Sequence, residues 1–438
     1  FAAARTGPVP ETGGQELMRS GDRMVKDSFS LAVAIGLTTG TRFFYHMLVS
    51  RKLGTADYGT LVTLLGILVL MTLPVNALQL ALAHHVTAAT ASDGPGAARR
   101  LFRATQPGFL WIGIGMSLGV WAISGPLGNF LKIDDGILLL LLATMAVWNL
   151  LLGQIRGVLQ GVQRFIAVGT VLLFDGLLKI AAAALLMIVL LPLRGAWAAN
   201  VVSAAIAWII GLALIRRALP RADPAPSQPA RPLGPLFRYA LPVFLSLLGF
   251  SVLGYLDVFM AKHLFEEHEA GLYAAAAIVG KTFLFIPDAI ALTLFSKASE
   301  KYAKSRNSRA LLLKALILTG ALLTPSLLVC ALLPETIVHI LFGVDFLDAA
   351  PLVRWFGFAM IPFVFLSVVV HYSLAQHRYR ILATLFGGSV LYGFLLLRFG
   401  ASPRAVMQTL FWTSLGILVA SLAAAKGWKG SPSRTKNR

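Results

Sequence analysis

Charged residues are scarce in this sequence, and acidic residues are the scarcest. Only 13% of the 438 residues are charged, and aspartate and glutamate together number 19. A soluble domain carries about 25% charged residues, so this chain lacks the polar side chains that a water-exposed surface needs. Hydrophobic residues instead make up 57% of the sequence. We therefore expect lipid to surround most of the chain.

The sequence also lacks the motifs of an enzyme or a metal site. Its single cysteine, Cys330, lies in an apolar run, so an intramolecular disulfide is excluded. It shows no glycine-rich phosphate loop, no nucleophile motif and no histidines and cysteines at metal-binding spacing. His84 and His85 lie at the end of an apolar run, where we expect them at the membrane interface. The residues thus predict a protein that is not an enzyme and that binds no metal or other cofactor.

What the sequence does contain is a series of long apolar runs. A transmembrane helix needs about 20 mostly apolar residues, and twelve runs approach or exceed this length. They lie at 28–50, 58–83, 106–127, 137–157, 165–190, 196–215, 239–262, 271–295, 310–333, 351–374, 381–397 and 404–424. The sequence therefore predicts an all-α integral membrane protein with about twelve transmembrane helices.

The loops between these runs alternate in charge. One set is basic and comprises 19–26, 99–103, Arg164, 216–238, 297–309, 378–380 and the C-terminal tail. The other set carries few basic residues and these acidic ones: Asp57, Asp134, Asp135, Glu266, Glu267, Glu269, Glu335, Asp345 and Asp348. Because positively charged loops stay in the cytoplasm, both termini are predicted to be cytoplasmic. The basic residues that give the net charge of +19 lie in short loops between the apolar runs and not along one stripe. No nucleic-acid partner is therefore expected.

The longest interruption is the proline-rich and basic segment 216–238, whose composition predicts an extended, solvated linker. The predicted units are a polar cytoplasmic segment 1–27, an N-lobe 28–215, the cytoplasmic linker 216–238, a C-lobe 239–424 and a basic cytoplasmic tail 425–438. Because each lobe has six spans, both enter the membrane from the same side. The lobes are therefore predicted to be parallel repeats related by a pseudo-twofold axis along the membrane normal. A weak similarity between 47–60 and 259–272 supports the duplication.

The first two spans are joined by the short polar peptide RKLGTADYG, residues 51–59. Gly54 can adopt a positive φ and so end the first span, and Thr55 or Asp57 can cap the start of the second. A plain extracytoplasmic hairpin explains all of these residues. We therefore expect no direct contact between this peptide and a substrate.

This hairpin also carries a resemblance to a known family. A first span that ends in RKLGTADYG resembles the polysaccharide flippases (O-antigen type) of the multidrug/oligosaccharidyl-lipid/polysaccharide (MOP) exporter superfamily. Segments 265–303 and 341–378 resemble the family's sequence around its eighth and tenth spans, in the family's order and spacing. The resemblance extends from about residue 25 to residue 424 and implies a MATE-like fold.

The resemblance implies a function as well. The family moves undecaprenyl-pyrophosphate-linked oligosaccharide, the repeat unit of a surface polysaccharide or exopolysaccharide, across the bacterial cytoplasmic (inner) membrane by alternating access. The partners that it implies are this polyprenyl-pyrophosphate-linked glycan, membrane lipids and polysaccharide assembly proteins, and a monomer is expected. Coupling of transport to protons or sodium is left open.

Ionisable residues inside the spans are the candidate site residues, because a charge is costly in hydrocarbon and usually faces a cavity or a partner. Arg42 and His46 lie one turn apart in the first span, which contains no carboxylate. The anion that Arg42 needs comes from a ligand or from another span, unless the side chain reaches the interface. The predicted cationic chamber between the lobes comprises Arg42, His46, Arg156, Lys179, Lys281 and Arg354. Such a chamber suits phosphate oxygens.

The acidic residues of the spans leave alternatives open. Asp175 lies one turn before Lys179 and can pair with it, and Arg354 can reach back to Asp348 at the interface. Asp257 is either an ion-coupling site or the partner of Lys281. The candidates for proton or sodium coupling are Asp175, Asp257 and Asp288.

Two other functions are compatible with parts of the sequence. A cation-coupled multidrug antiporter would use these buried aspartates, but the net positive charge of the predicted chamber disfavours it. A membrane enzyme of glycan synthesis would need catalytic carboxylates or a large outer loop. The longest outer loop, 334–350, has only 17 residues.

Overall fold

The computed structural model describes residues 12–94, 96–219, 234–287, 290, 309–376 and 381–426, which are helical almost throughout. The helices are α1 Thr12–Asp93, α2 Ala97–Ala122, α3 Ser124–Leu131, α4 Gly136–Gly161, α5 Phe165–Val189, α6 Pro192–Ala218, α7 Gly234–Leu264, α8 Glu267–Lys281, α9 Arg309–Leu332, α10 Pro334–Leu341, α11 Ala350–Ala375, α12 Ile381–Phe399 and α13 Pro403–Lys426. Two short 3₁₀ helices, Thr282–Leu284 and Val344–Ala349, follow α8 and α10.

The helices confirm the predicted all-α membrane fold. In the described part of the chain, ten helices are long and apolar enough to cross a membrane, and α2 with α3 forms an eleventh candidate, bent by 53°. The segment Gly36–Asp93 counts as one helix of 58 residues, although it contains the first two predicted spans. Each of the twelve predicted spans therefore has a helical counterpart among the described residues, although residues 288, 289 and 291–295 of the eighth predicted span lie outside them.

Gly54 divides α1 into two arms, a first arm that ends at Leu53 and a second arm that begins at Thr55. Its φ is 69° and its ψ is −178°, a combination that is essentially restricted to glycine. The positive φ agrees with the predicted role of Gly54 in ending the first span. The helix is therefore interrupted at Gly54, and its two arms correspond to the first two predicted spans.

Apolar side chains form two core clusters. The first joins the greater part of α1 to α2–α6, with Trp197 fully buried in it. The second joins α7, α8 and the helices that follow, with Tyr273 and Phe356 at its centre. Tyr58, on the second arm of α1, packs into the second cluster. The two clusters correspond to two lobes that meet where α1 packs against α7 and α8.

Polar contacts at the start of α4 fix its position in the first lobe. Asp135 caps α4 by accepting a hydrogen bond from the amide of Ile137 at 3.0 Å, and its carboxylate also pairs with Arg194 at 2.6 Å. Burial raises the pKa of the Asp135 carboxyl, but these hydrogen bonds outweigh burial and hold the pKa below its ordinary value. The indole of Trp197 donates to Leu138 O at 3.1 Å. This frame holds α4 and α6 side by side.

Candidate functional site

Arg42 is an exposed cation on the first arm of α1, about three helical turns before that arm ends at Leu53. Among the described residues, no carboxylate lies within 4.0 Å of its guanidinium. It lies within electrostatic range of His46, of Arg156 on α4 and of Tyr255 on α7. Because Tyr255 belongs to the second lobe, Arg42 lies near the boundary between the lobes.

Arg156 is the second cation of this group. The Nε atom of Arg156 is buried and has no hydrogen-bond acceptor among the described residues. Asp175 on α5 attracts the Arg156 guanidinium over a longer range, and Arg42 repels it. A buried donor of this kind costs about 1–3 kcal/mol when it lacks an acceptor, so the group is suited to an added anion.

Two other first-lobe candidates already have partners. The ammonium of Lys179 lies 3.9 Å from Asp175, as predicted for residues one turn apart. The same carboxylate accepts a hydrogen bond from Ser203 on α6 at 3.0 Å. His46 forms a hydrogen bond at 2.9 Å with the hydroxyl of Tyr58. Lys179 and His46 are therefore partnered groups, and His46 lies within electrostatic range of both Lys179 and Arg42.

In the second lobe, Lys281 is bound to Asp257. The ammonium lies 3.0 Å from Oδ1 of Asp257, which is fully buried, and Tyr273 donates to Oδ2 at 3.1 Å. The ammonium also lies over the ring of Tyr255, 4.7 Å from its centroid. Of the two sequence interpretations of Asp257, the geometry is that of a partner for Lys281. Tyr255 therefore contacts Lys281 and also lies within electrostatic range of Arg42.

The structure places the remaining candidates elsewhere. Arg354 is exposed at the start of α11 and has no carboxylate within 4.0 Å in the part of the chain that is described, so the alternative pairing with Asp348 is absent there. Asp288 lies outside the described residues. Within those residues, no group of three or more histidine, cysteine, aspartate or glutamate side chains could hold a metal ion.

Sequence reasoning did not find the polar contacts that join the lobes at one end of the bundle. This end, called the outer end here, contains the loops that charge predicts to be extracytoplasmic. Among the described residues, five hydrogen bonds form there: Ser50 Oγ to Leu341 O at 3.4 Å, Arg51 Nη2 to Ile340 O at 2.8 Å, Thr55 Oγ1 with His268 Nδ1 at 2.7 Å, Lys132 Nζ to Phe265 O at 3.3 Å, and His263 Nδ1 to Phe130 O at 2.7 Å. Thr55 thus binds across the lobes, whereas the sequence suggested a helix cap.

Glycines allow the backbones of the lobes to approach closely at the same end. A Cβ atom on Gly59 would lie 3.0 Å from the Cα atom of Gly271. These two glycines occupy matching positions in the weakly similar segments 47–60 and 259–272. That similarity was the sequence signal that could have located these contacts. The hydrogen bonds and the glycine packing between the lobes at the outer end together form the outer contact.

Solved structures of MOP superfamily members share this fold. An inward-facing multidrug resistance MATE family transporter aligns with a TM-score of 0.77 and 12% identity, over 91% of this chain and 97% of its own. An outward-facing multidrug resistance MATE family transporter aligns with a TM-score of 0.64 and 14% identity, over 92% of this chain and 95% of its own. The lipid II flippase MurJ, in an inward closed conformation, aligns with a TM-score of 0.71 and 12% identity, over 90% of this chain and 87% of its own. The chain therefore has the fold of MOP superfamily membrane proteins.

A comparison with protein-family models assigns the chain to one family. The family described as polysaccharide biosynthesis protein matches residues 24–286, and the chain belongs to that family. No curated protein is significantly similar in sequence. The predicted family resemblance is thereby confirmed.

Proposed function

We propose that the chain is a flippase that moves a polyprenyl-pyrophosphate-linked oligosaccharide from the cytoplasmic to the outer leaflet of a bacterial cytoplasmic membrane. The family points to polysaccharide assembly, and sugars and diphosphates cannot enter hydrocarbon unaided. A protein must therefore supply a polar route for the head group. The polyprenyl chain stays in lipid during the movement.

The observation that carries this proposal is the unpaired charge at Arg42 and Arg156. Both cations lie in predicted membrane spans, and neither has a carboxylate within 4.0 Å among the described residues. A pyrophosphate would supply the missing acceptors, because the guanidinium fork matches phosphate oxygens. We assign Arg42 and Arg156 to the head group, with His46, Lys179 and Lys281 near them.

The alternative of a cation-coupled drug antiporter receives less support. It needs carboxylates that can exchange an ion for a cationic compound. Asp257 is held by Lys281 and Tyr273, and Asp175 is held by Ser203 and Lys179. A flippase for an anionic lipid uses the unpaired cations directly and leaves these pairs intact.

The outer contact fits one state of an alternating-access cycle. With the lobes joined at the predicted extracytoplasmic end, a head group would enter from the cytoplasm. Release would require the five outer hydrogen bonds to break while the lobes rock about α1. We propose that this is the inward-facing state of the transporter.

Flipping in reconstituted vesicles tests the proposal. Fluorescent undecaprenyl-pyrophosphate-linked oligosaccharide is placed in the vesicle membrane, and the fraction that reaches the opposite leaflet is measured with a membrane-impermeant quencher. We expect Arg42→Gln to lower the rate at least about tenfold, the effect of losing about 1.4 kcal/mol of binding. The same loss is expected for Arg156→Gln.

Arg354→Gln is the matched control, since it removes an equal charge from an exposed position at the outer end. It should retain most of the wild-type rate. Equal rates for Arg42→Gln and wild type, with both proteins folded, would show that the head group does not use this cation. Ion-dependent efflux of a cationic drug would favour the antiporter.

A further inference from the structure

An apolar groove lies between α12 and α13, and its lining residues do not include Arg42 or Arg156. It has a volume of about 800 Å³. Its lining residues lie between Ala383 and Phe399 on α12 and between Ala405 and Ala420 on α13. These residues are mostly apolar, so the groove suits hydrocarbon.

Three glycines, Gly387, Gly388 and Gly416, line the groove. Gly388 packs against the Ile417 side chain and brings the two helices together. Gly387 and Gly416 have no atom within 4 Å of the place where a Cβ would lie. Larger residues at these two positions would occupy part of the groove, whereas glycine leaves this space accessible.

The walls of the groove present large apolar side chains to the outside of the protein. Leu391, Phe399 and Trp412 are 53%, 56% and 66% exposed. The hydroxyls of Thr384 and Thr409 donate to carbonyls of their own helices, Ile381 O and Ala405 O, at 2.8 Å each. These two threonines therefore add little free polarity to the groove, whereas the buried hydroxyl of Thr413 has no hydrogen-bond partner among the described residues.

The length of the groove distinguishes between membrane lipids. The lining residues of α12 run from Ala383 to Phe399, which at 1.5 Å per residue is about 24 Å along the helix. The hydrocarbon core is about 30 Å thick, so one leaflet accounts for about 15 Å. A glycerophospholipid chain reaches through one leaflet only. A single polyprenyl chain is long enough to follow the groove through both.

Two exposed arginines lie at the outer end of this groove. The guanidinium of Arg398 lies 5.6 Å from the ring centroid of Phe399, which lines the groove, and that of Arg404 lies 5.9 Å from the ring of Trp355. Neither has a carboxylate within 4.0 Å in the described part of the chain. A phosphate at this rim would neutralise them.

From this geometry we infer that the groove between α12 and α13 binds the polyprenyl chain of the lipid carrier, and that Arg398 and Arg404 receive its phosphate at the outer leaflet. The inference rests on the proposed function for the identity of the lipid. The polyprenyl group would then stay bound to the second lobe while the head group passes Arg42.

Photolabelling tests the groove without a transport step. Wild-type protein in vesicles of phosphatidylethanolamine and phosphatidylglycerol is irradiated with undecaprenyl phosphate that carries a diazirine near the end of its chain. Mass spectrometry then locates the label. We expect labelling of peptides within 383–420, lowered at least about tenfold in the double variant Gly387→Leu/Gly416→Leu.

The double variant Gly115→Leu/Gly119→Leu on α2 is the matched control. Both positions are exposed, and an added Cβ would meet nothing within 4 Å, as at Gly387 and Gly416. Labelling should equal that of wild type. Arg398→Gln/Arg404→Gln should lower labelling by the phosphate probe about fivefold and leave labelling by the neutral polyprenol unchanged.

Equal labelling by a diazirine glycerophospholipid, or labelling that survives the filled groove, would overturn the inference. The flipping assay separates this failure from failure of the proposed function. Flipping by wild type without specific groove labelling rejects the groove alone. Specific labelling without flipping of the glycan-linked lipid rejects the transport function and retains the lipid site.

Discussion

At the scale of single residues, the buried pair of Lys281 and Asp257 couples two helices of the second lobe. Asp257 is fully buried and Lys281 is 12% exposed, and their charged atoms lie 3.0 Å apart. Neither charge has enough water nearby to replace the other. Removal of one partner therefore leaves an uncompensated charge, which costs more than the pair itself contributes.

We expect Asp257→Asn to lower the free energy of unfolding by about 3–5 kcal/mol. The combined variant Asp257→Asn/Lys281→Gln should lose less than the sum of the two single losses, because no charge then remains unpaired. Denaturant titration in detergent micelles measures all three. Asp348→Asn, at an exposed position, serves as the control, and strictly additive losses would contradict a coupled pair.

The candidate site could be predicted residue by residue only in part. The pairing of Asp175 with Lys179 follows from helical spacing alone, and the structure shows it. The partner of Lys281 comes from another helix, so spacing could propose Asp257 but could not choose it over an ion-coupling role. The hydrogen bond between His46 and Tyr58 was not predicted, because it depends on how the two arms of α1 pack after Gly54.

At the scale of elements, the break in α1 depends on one glycine. Gly54 has a φ of 69°, and an added Cβ would meet nothing within 4 Å. The cost of another residue at this position therefore comes from the backbone and not from crowding. The sequence could locate this break, because glycine in a short polar peptide between two apolar runs indicates a turn.

We expect Gly54→Ala to lower the free energy of unfolding by about 1–3 kcal/mol. Gly40→Ala on the first arm is the matched control, since its site is equally open but helical. Alanine there should be neutral or stabilising by up to about 1 kcal/mol. Thermal unfolding of both variants in detergent compares them, and equal stability would show that the break in α1 does not require glycine.

At the scale of the whole molecule, the two lobes meet through segments that resemble one another. The outer hairpin at 47–60 faces segment 259–272, and Gly59 packs against Gly271. The sequence could predict two sets of six spans from loop charge and hydropathy, because both are local properties. It could not predict at which end of the bundle the lobes are in contact, since that depends on residues more than 200 positions apart, such as Thr55 with His268.

If the outer contact opens during transport, a covalent link across it should stop flipping. In a Cys330→Ala background, we expect a short, cleavable bifunctional thiol reagent to join Thr55→Cys to His268→Cys, because the native side chains lie 2.7 Å apart. The linked protein should lose flipping of the fluorescent lipid, and cleavage of the reagent should restore it. Each single cysteine variant, treated with the same reagent, controls for modification at one site.

The linked variant also separates two views of the outer end. If the lobes rock, the link holds them in the state seen here, so the head group can still reach Arg42 from the cytoplasm but cannot leave. Binding of the labelled lipid should then persist while its transfer stops. Undiminished flipping by the linked protein would mean that the outer contact stays closed throughout transport, and the head group would have to leave by a path that does not pass between the lobes.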